Sequence, residues 1–444
     1  MRSFMKNDSF FWILIYACCF LFLVFYLVVI FNMRVTSDDF ELLCNLKLQG
    51  FFQSIINWEY NIRITSFMFF NAILFFCSDF SLTRWNLFIF YSLFFITFIF
   101  SIRALIKVIL LKYIHIKLHF FQEFSLSILI LMSIFFFSFQ NNEIWFWLTG
   151  TLIYLLPVNF AILGFYFLMK QNFYASYIFF FLMGGCCETL TLIVVFILLL
   201  MYKESKYKNY KILISMILSL SLILLSAVFS GFWNRINLGH KDQVFRNFDL
   251  FSLFSSFFLK KNIFFVFIFI IFLVLGNLLR IKYQFDLRKY QKKTFIYFGV
   301  LALVSFFVTA ILMQIVFKSI GPNRAWSAWS IIIGLELLII ALFIGNKVKF
   351  NVMVIANLSS IFLILLLFFY TFRQYRLTSL YTTKYDEKIN KMMNFKKNHH
   401  SASDTLILEP VPIDAGVLIS RSPDIYLSKI LGTKFSIKYH QNKK

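Results

Sequence analysis

The chain has 444 residues, of which 60% are hydrophobic and only 14% are charged. Soluble domains carry about 25% charged residues, so this composition excludes a soluble globular fold, and its apolar richness excludes a disordered chain. Lys and Arg total 43 against 20 Asp and Glu, a formal net charge of +23. The composition therefore indicates an all-α polytopic membrane protein, in which membrane topology is the first explanation to test for the basic excess.

Apolar runs long enough for a membrane-spanning helix, about 20 residues, recur along the chain. The first run, 10–31, is too long for the apolar region of a cleaved signal peptide and predicts an uncleaved signal anchor. The sequence predicts about eleven transmembrane helices, at residues 10–33, 84–102, 124–139, 149–169, 174–186, 188–202, 211–229, 262–280, 294–316, 326–345 and 352–371.

Two stretches are predicted to depart from simple spans. Residues 64–77 form a short apolar run in the first outer loop, 34–83. A span there would place the basic segment 103–117 outside, so we expect a helix in the outer interface. The runs 174–186 and 188–202 meet at Gly184-Gly185 and predict a broken pair of helices whose turn is buried in the protein.

The predicted membrane topology separates the 43 cations into three groups. Nineteen lie in predicted cytoplasmic segments, 11 in short outer loops and 13 in the tail after Tyr370. The distribution predicts a cytoplasmic N-terminus and an extracytoplasmic C-terminus. Because the cations are scattered over short turns rather than one domain face, no nucleic-acid partner is expected.

The chain divides into a transmembrane module, 1–371, and a polar tail, 372–444. Residues 376–398 are basic and amphipathic, which predicts an interfacial helix attracted to anionic lipid headgroups. A strand at 405–408, a helix at 424–431 and a strand at 434–439 are expected to form a small α/β-like extracytoplasmic module. The predicted apolar face of the interfacial helix contains Leu377, Leu380, Tyr381, Tyr385, Ile389 and Met392.

The six cysteines show no CxxC spacing, so the sequence predicts no cysteine metal site. Most lie in apolar runs as small core or lipid-facing residues. Cys44 and Cys77 both fall in the first outer loop, which leaves a disulfide between them open.

Two adjacent carboxylates, Asp38 and Asp39, follow the first span. Neighbouring like charges can raise one pKa, and a carboxylate can accept the proton of a substrate hydroxyl. The pair is therefore a candidate catalytic base with an orienting or cation-binding partner. The alternative is structural, with Asp38 or Asp39 as the N-cap of an outer helix at 41–56.

Carboxamide, carboxylate and aromatic side chains cluster at the outer end of the predicted span 149–169. Asn142, Glu143 and Trp147 suit hydrogen bonding to sugar hydroxyls and stacking on sugar faces. For Trp145 and Trp147 the alternative is an aromatic belt at the membrane interface.

Two carboxylates lie at membrane depth, Glu188 at the Gly-Gly break and Glu336 inside a predicted span. Such residues usually face a cavity or a partner, so both are functional candidates. The structural alternative for Glu336 is a packing hydrogen bond made by the protonated acid.

The outer loops supply cations, Arg235 in one loop and Lys318 and Arg324 in the last outer turn. Arg324, at a predicted helix start with free backbone N–H groups, suits phosphate binding. The alternative for Arg324 is an anchor that snorkels to the interface.

These features together resemble the GT-C fold membrane glycosyltransferases, and more closely a bacterial branch of that group. The shared layout is a first span, an Asp-Asp pair opening the first outer loop, interfacial helices and then a bundle. The chain has Ile62 where the branch more often has glycine. The matching motifs are Ser37-Asp38-Asp39-Phe40, Asn61-Ile62-Arg63, Trp147-Leu148-Thr149-Gly150-Thr151-Leu152-Ile153-Tyr154, Gly184-Gly185-Cys186-Cys187-Glu188 and Asn323-Arg324.

The resemblance implies an inverting transfer of a hexose or pentose from a polyprenyl-phosphate donor to an extracytoplasmic glycan or lipid acceptor, at the bacterial cytoplasmic (inner) membrane. It implies that Asp38 or Asp39 deprotonates or orients the acceptor hydroxyl. Some members use a divalent cation, Mg or Mn, beside the acids, and the residues here do not decide that point. The substrate-binding residues implied are Arg63, Asn142, Glu143, Trp147, Tyr154, Glu188, Arg235, Lys318 and Arg324, with Arg324 and either Arg235 or Lys318 neutralising the phosphate leaving group.

Two other functions stay open. A glycan polymerase or ligase would act on lipid-diphosphate-linked sugars through outer-loop arginines such as Arg235 and Arg246. A transporter or lipid flippase would move its substrate without transfer chemistry. Inverted-repeat transporters carry internal symmetry, and no repeat is evident in this sequence.

Overall fold

The computed structural model describes residues 2–34, 37–56, 63–75, 80–138, 144–204, 209–228, 262–283, 287–317, 326–348, 353–398, 405–408 and 436–439. Helices account for most of these residues. In chain order they are α1 Arg2–Phe31, α2 Ser37–Gln49, α3 Gln53–Ile56, α4 Ile64–Phe75, α5 Phe80–Ile109, α6 Phe120–Phe137, α7 Leu148–Met169, α8 Phe173–Gly184, α9 Glu188–Glu204, α10 Tyr210–Val228, α11 Asn262–Tyr283, α12 Arg288–Phe317, α13 Ser327–Lys347 and α14 Met353–Asn398.

Eight helices in the described part of the chain are long and apolar enough to cross a membrane. The protein is therefore an all-α membrane protein, as its composition predicts. Helices α4, α8 and α10 are also apolar. Over the residues whose side chains are described, however, each is shorter than any of the eight spans. The count of eleven spans stays a prediction. The eight are Ser9–Phe31, Arg84–Lys112, Phe120–Phe137, Leu148–Met169, Ile263–Lys282, Lys293–Gln314, Ser327–Lys347 and Met353–Met392.

The spans differ in how much of their surface faces other helices. In the α12 window only 11% of residues are buried, against 61% for the α7 and α13 windows. Apolar side chains exposed on a helix as hydrophobic as α12 are stable only in lipid. Helix α12 is thus peripheral, whereas α7 and α13 contribute to the core of the bundle.

Helices α11 and α13 pack at backbone distance. A Cβ added to Gly345 would lie 1.7 Å from the carbonyl oxygen of Leu273, and one added to Gly276 would lie 2.1 Å from that of Leu342. Small residues permit such close approach in membranes, where dispersion contacts replace the hydrophobic effect between helices. This pair forms one rigid side of the bundle.

The described part of the segment between α1 and α5 contains three short helices where the sequence predicts one outer helix at 41–56 and one interfacial helix at 64–77. Helix α2 begins at Ser37 and ends before Gly50, whose φ of +80° turns the chain into α3. Helix α4 has 12 residues, about 18 Å at 1.5 Å per residue, which is too short to cross about 30 Å of hydrocarbon. Its Asn71 donates to the Phe51 carbonyl and to Ser54 Oγ, both at 2.8 Å, so the segment is tied together internally.

The break between α8 and α9 lies where Gly184-Gly185 predicts it, and Cys186 and Cys187 in its turn are buried. The Thr65 N–H donates to the Gly185 carbonyl at 3.0 Å, so α4 covers the turn. A Cβ on Gly185 would lie 2.2 Å from Thr65 Oγ1, and one on Gly184 would lie 2.1 Å from the Ser219 carbonyl oxygen. Both glycines are needed for this close approach.

The last span and the predicted interfacial helix are one element, which corrects the boundary expected at 371. Helix α14 runs unbroken for 46 residues, about 69 Å, since residues 353–398 contain no glycine or proline. Tyr381, Tyr385 and Met392, assigned from sequence to a lipid-facing surface, are at most 4% exposed. These three residues therefore pack against protein rather than against headgroups, whereas Leu380 on the same predicted face is 51% exposed.

Two strands lie beyond α14. Thr405–Leu408 and Ser436–Tyr439 pair in parallel, with Thr405 opposite Ser436. The sequence predicts strands at 405–408 and 434–439, and the small α/β-like module to which they would belong stays a prediction. The helix expected at 424–431 lies outside the described residues.

Candidate functional site

The candidate site lies at the end of the bundle where α1 ends, α7 begins and the α8–α9 turn is covered by α4. We call this the Asp39 end, and the opposite end, which holds Lys112, the Lys112 end. The Asp39 end brings together three polar pairs that are far apart in the sequence.

The first pair ties the chain after α1 to α14. Arg34 Nε and Nη2 donate to the two carboxylate oxygens of Asp386 at 2.7 and 2.6 Å. A two-bond contact of this kind fixes orientation as well as distance. Thr382 Oγ1 also donates to the Asn32 carbonyl at 2.8 Å. The C-terminal half of α14 therefore holds the residues that lead into α2.

The second pair joins α2 to α7. Asp39 is 1% exposed, and its Oδ1 accepts from Thr149 Oγ1 at 2.7 Å and from the Thr149 N–H at 3.3 Å. Thr149 stands in the first turn of α7, where backbone N–H groups lack helical partners and the helix dipole favours an anion. Asp39 therefore serves the N-terminus of α7. The expected role as N-cap of a helix at 41–56 is wrong for Asp39, because α2 already begins at Ser37.

The third pair joins the segment before α4 to the start of α9. Arg63 Nη2 and Nε donate to Glu188 Oε2 at 3.2 and 3.4 Å. The Arg63 guanidinium carbon also lies 5.9 Å from the ring centroid of Tyr154. Burial, the largest single effect, lowers the pKa of Arg63, but Glu188, Tyr154 and Cys187 together outweigh it and leave that pKa above its usual range.

The start of α7 connects the second and third pairs. Thr149 and Tyr154 are five residues apart, about 7.5 Å along the helix axis. Tyr154 belongs to a π-helical turn, Thr151–Leu155, of the kind that often marks functional sites. Ser66 Oγ donates to the Leu152 carbonyl at 2.8 Å, and Thr151 Oγ1 lies 3.2 Å from Tyr91 OH. Neighbouring helices thus satisfy the polar groups of the irregular turn.

The tryptophans near this turn are not surface residues. Trp145 is fully buried and Trp147 is 4% exposed. Trp145 packs against the rings of Phe98 and Phe135. Both rings are therefore packed in protein rather than exposed to lipid, which argues against lipid-facing members of an aromatic belt. A sugar could stack on Trp147 only if the residues that bury the Trp147 ring moved away.

Several predicted site residues lie outside the described part of the structure. The side chain of Asp38 is among them, so its proposed catalytic role stays a prediction. The roles expected for the outer-loop cations and for Asn142 and Glu143 also stay predictions, as does a disulfide between Cys44 and Cys77. The residues concerned are Asp38, Asn142, Glu143, Arg235, Lys318 and Arg324.

Three residues of the site were missed by sequence reasoning. Thr149 lies in a matching motif, and threonine near a helix N-terminus is a signal for a capping contact. Arg34 and Asp386 gave no such signal, because their pairing spans 352 positions of the chain.

No group of three or more His, Cys, Asp or Glu side chains that could hold a metal ion occurs among the described residues. Asp39 is committed to Thr149, and Glu188 to Arg63. The described contacts therefore hold α2 on α7 and the segment before α4 on the start of α9, and they gather carboxylates, a guanidinium and hydroxyl groups at one end of the bundle.

Comparisons with protein-family models, with curated proteins and with solved structures found no match to this chain.

Proposed function

We propose that the protein is a membrane glycosyltransferase that moves a sugar from a polyprenyl-phosphate donor to an acceptor on the outer side of the membrane. The observation that carries this proposal is the buried Asp39–Thr149 contact at the start of α7, next to the Arg63–Glu188 pair. It agrees with the resemblance to GT-C enzymes, in which an acidic pair opens the first outer loop.

The proposed orientation of the protein in the membrane follows from the distribution of its charged residues. Lys107, Lys112, Lys170 and Lys203 lie at the Lys112 end, and short loops rich in lysine and arginine face the cytoplasm. The Asp39 end then faces outward. A lipid-linked donor would reach it from the outer leaflet.

The chemistry requires one base and one site for an anionic leaving group. The acceptor hydroxyl oxygen attacks the anomeric carbon, the bond from that carbon to the phosphate oxygen breaks, and polyprenyl phosphate leaves with the electron pair. The hydroxyl proton passes to a carboxylate. Attack opposite the leaving group inverts the anomeric centre.

We assign the two acids different roles. Asp39 is engaged by Thr149 and buried, so it positions α2 on α7. Asp38, its neighbour in the chain, is then the proposed base. Arg63 and Glu188 are proposed to bind sugar or acceptor hydroxyls. Arg324, with Arg235 or Lys318, is proposed to neutralise the phosphate.

A transporter or flippase is the second candidate, and Glu336 is the observation that favours it. This carboxylate lies within the α13 span and is 7% exposed. Buried acids in spans often mark transport pathways. A transporter would keep its substrate flux when Asp38 and Asp39 are both changed to Asn, whereas a glycosyltransferase would lose turnover.

The single variants test the division of roles. Asp38→Asn should lower the turnover number with little change in melting temperature, and Asp39→Asn should lower both. Loss of activity on changing Arg235 and Arg246, with Asp38→Asn still active, would instead favour a polymerase or ligase acting on lipid-diphosphate-linked sugars.

A further inference from the structure

Two cavities border helices α5 and α7: one extends from Lys282 at the Lys112 end of the bundle to Leu190, two residues from Glu188, and the other lies at the Lys112 end. The first, which we call the apolar cavity, has a volume of about 470 Å³, and Lys282 is the one charged residue among the described residues that line it. The second, which we call the basic cleft, has a volume of about 460 Å³ and is lined by Arg103, Lys107, Lys112 and Lys170. Each is large enough for a small ligand or part of a lipid.

Helices α5 and α7 contribute adjacent residues to the two cavities. On α5, Ile106 lines the apolar cavity and Lys107 the basic cleft. On α7, Phe165 lines the apolar cavity and Tyr166 lines the basic cleft. Consecutive residues of a helix are rotated by about 100°, so the cavities lie on neighbouring faces of the same helices.

The basic cleft keeps an excess of positive charge. Arg103 is compensated, because its Nη2 lies 2.9 Å from Glu123 Oε2. Lys112 Nζ donates to the Met169 carbonyl at 3.4 Å. Lys107 and Lys170 are exposed, and neither forms an ion pair with a carboxylate among the described residues. The cleft is therefore suited to an anionic group.

We infer that the basic cleft and the apolar cavity together bind one anionic phospholipid of the leaflet at the Lys112 end. Its headgroup phosphate lies among Lys107, Lys112 and Lys170, and one acyl chain enters the apolar cavity. Basic pockets between membrane helices bind anionic headgroups in this way. The adjoining cavity favours a lipid over a free anion, since its lining offers a chain apolar contacts throughout. The headgroup part of this site lies at the end opposite Asp39, and lipid binding here uses none of the residues assigned to the proposed transfer reaction.

The experiment measures lipid retention by native mass spectrometry after release from nanodiscs that contain equal amounts of palmitoyl-oleoyl phosphatidylglycerol and phosphatidylcholine. The wild-type protein should retain one phosphatidylglycerol in preference to phosphatidylcholine. Changing Lys107, Lys112 and Lys170 to Gln together should weaken that retention by about 5-fold for each lysine removed.

The matched control changes Lys117, Lys203 and Lys347 to Gln. These three lysines are exposed, lie at the same end and are outside the cleft lining. Retention in this control should equal that of the wild type. Equal loss in the two triple variants would overturn the proposal, because general surface charge would then explain the binding.

A second variant tests the chain-binding half of the site. Ala161 lines the apolar cavity, and Ala161→Phe would fill part of it without changing charge. Retention of phosphatidylglycerol should fall while the melting temperature of the lipid-free protein stays near that of the wild type. Unchanged retention in Ala161→Phe, or displacement of the lipid by soluble glycerol phosphate at equal concentration, would overturn the lipid assignment.

Discussion

Arg63 and Glu188, 125 positions apart in the chain, meet at 3.2 Å between Nη2 and Oε2 beside the α8–α9 turn. Both side chains are largely buried, at 14% and 19% exposure. An ion pair in such a place is costly to break, because the remaining charge loses its partner without regaining water. The pair therefore links the segment between α1 and α5 to the start of α9.

A double-variant cycle tests this link. Arg63→Met and Glu188→Gln should each lower the free energy of unfolding by about 2 kcal/mol, at the low end for buried pairs because some exposure remains. The double variant should lose less than the sum. Chemical or thermal unfolding in detergent measures all three. The exposed pair Lys384–Glu387 is the control, and its cycle should give less than about 0.5 kcal/mol. Strict additivity at Arg63 and Glu188 would contradict the coupling.

Thr149 should be as important for stability as the acid it holds. Thr149→Val removes the hydroxyl that donates to Asp39 and should cost about 1.5–3 kcal/mol, the range for hydrogen bonds to charged groups. Thr383→Val is the control, since the Thr383 hydroxyl donates only to the Ser379 carbonyl on an exposed face of α14. Equal melting temperatures for the two variants would show that the Asp39 contact contributes nothing.

The C-terminal half of α14 should loosen when its ion pair is removed. Asp386→Asn should increase amide hydrogen exchange in residues 376–398, because Arg34 loses both of its carboxylate contacts. Asp386 is 45% exposed, so the loss of stability should be small, about 1 kcal/mol. Glu387→Gln removes a neighbouring acid in an exposed pair and should leave exchange unchanged. Identical exchange in both variants would argue against the tie between α1 and α14.

The close packing of α11 and α13 gives a sharp steric test. Gly345→Ala places a methyl group 1.7 Å from the Leu273 carbonyl, so the helices must separate and the melting temperature should fall. Gly299→Ala on α12 meets no atom within 4 Å and should be neutral or stabilising by up to about 1 kcal/mol. A fall of the same size in both variants would attribute the effect to helix propensity or expression rather than to packing.

Hydropathy was enough to locate the long apolar helices. A segment in hydrocarbon must be apolar and must form its backbone hydrogen bonds within itself, which a helix does. The break between α8 and α9 was also predictable, since two glycines precede an acid at membrane depth. The length of α14 was not. A basic amphipathic face can bind headgroups or protein, and burial of Tyr381 and Tyr385 depends on what packs beside them.

The candidate site was predictable only in part. The sequence singled out Asp39, Arg63 and Glu188 because charges are rare in this chain, and rarity made their positions informative. Their partners required the fold, since Thr149 lies 110 positions from Asp39. The burial of Trp147 was equally hidden, because tryptophans near a helix end are common both at interfaces and in cores.

The most direct test of the proposed function is sugar transfer by the purified protein in nanodiscs. A panel of radiolabelled polyprenyl-phosphate hexoses and pentoses would be supplied with membrane glycolipid and envelope-glycan acceptors, and release of polyprenyl phosphate measured. The wild type and Glu387→Gln should consume one donor at equal rates. The variant with both Asp38→Asn and Asp39→Asn should be slower by at least about 100-fold, the lower bound for loss of a general base. Equal turnover in the double variant, or no donor consumed while the same protein moves lipid-linked sugar across proteoliposome membranes, would contradict the account.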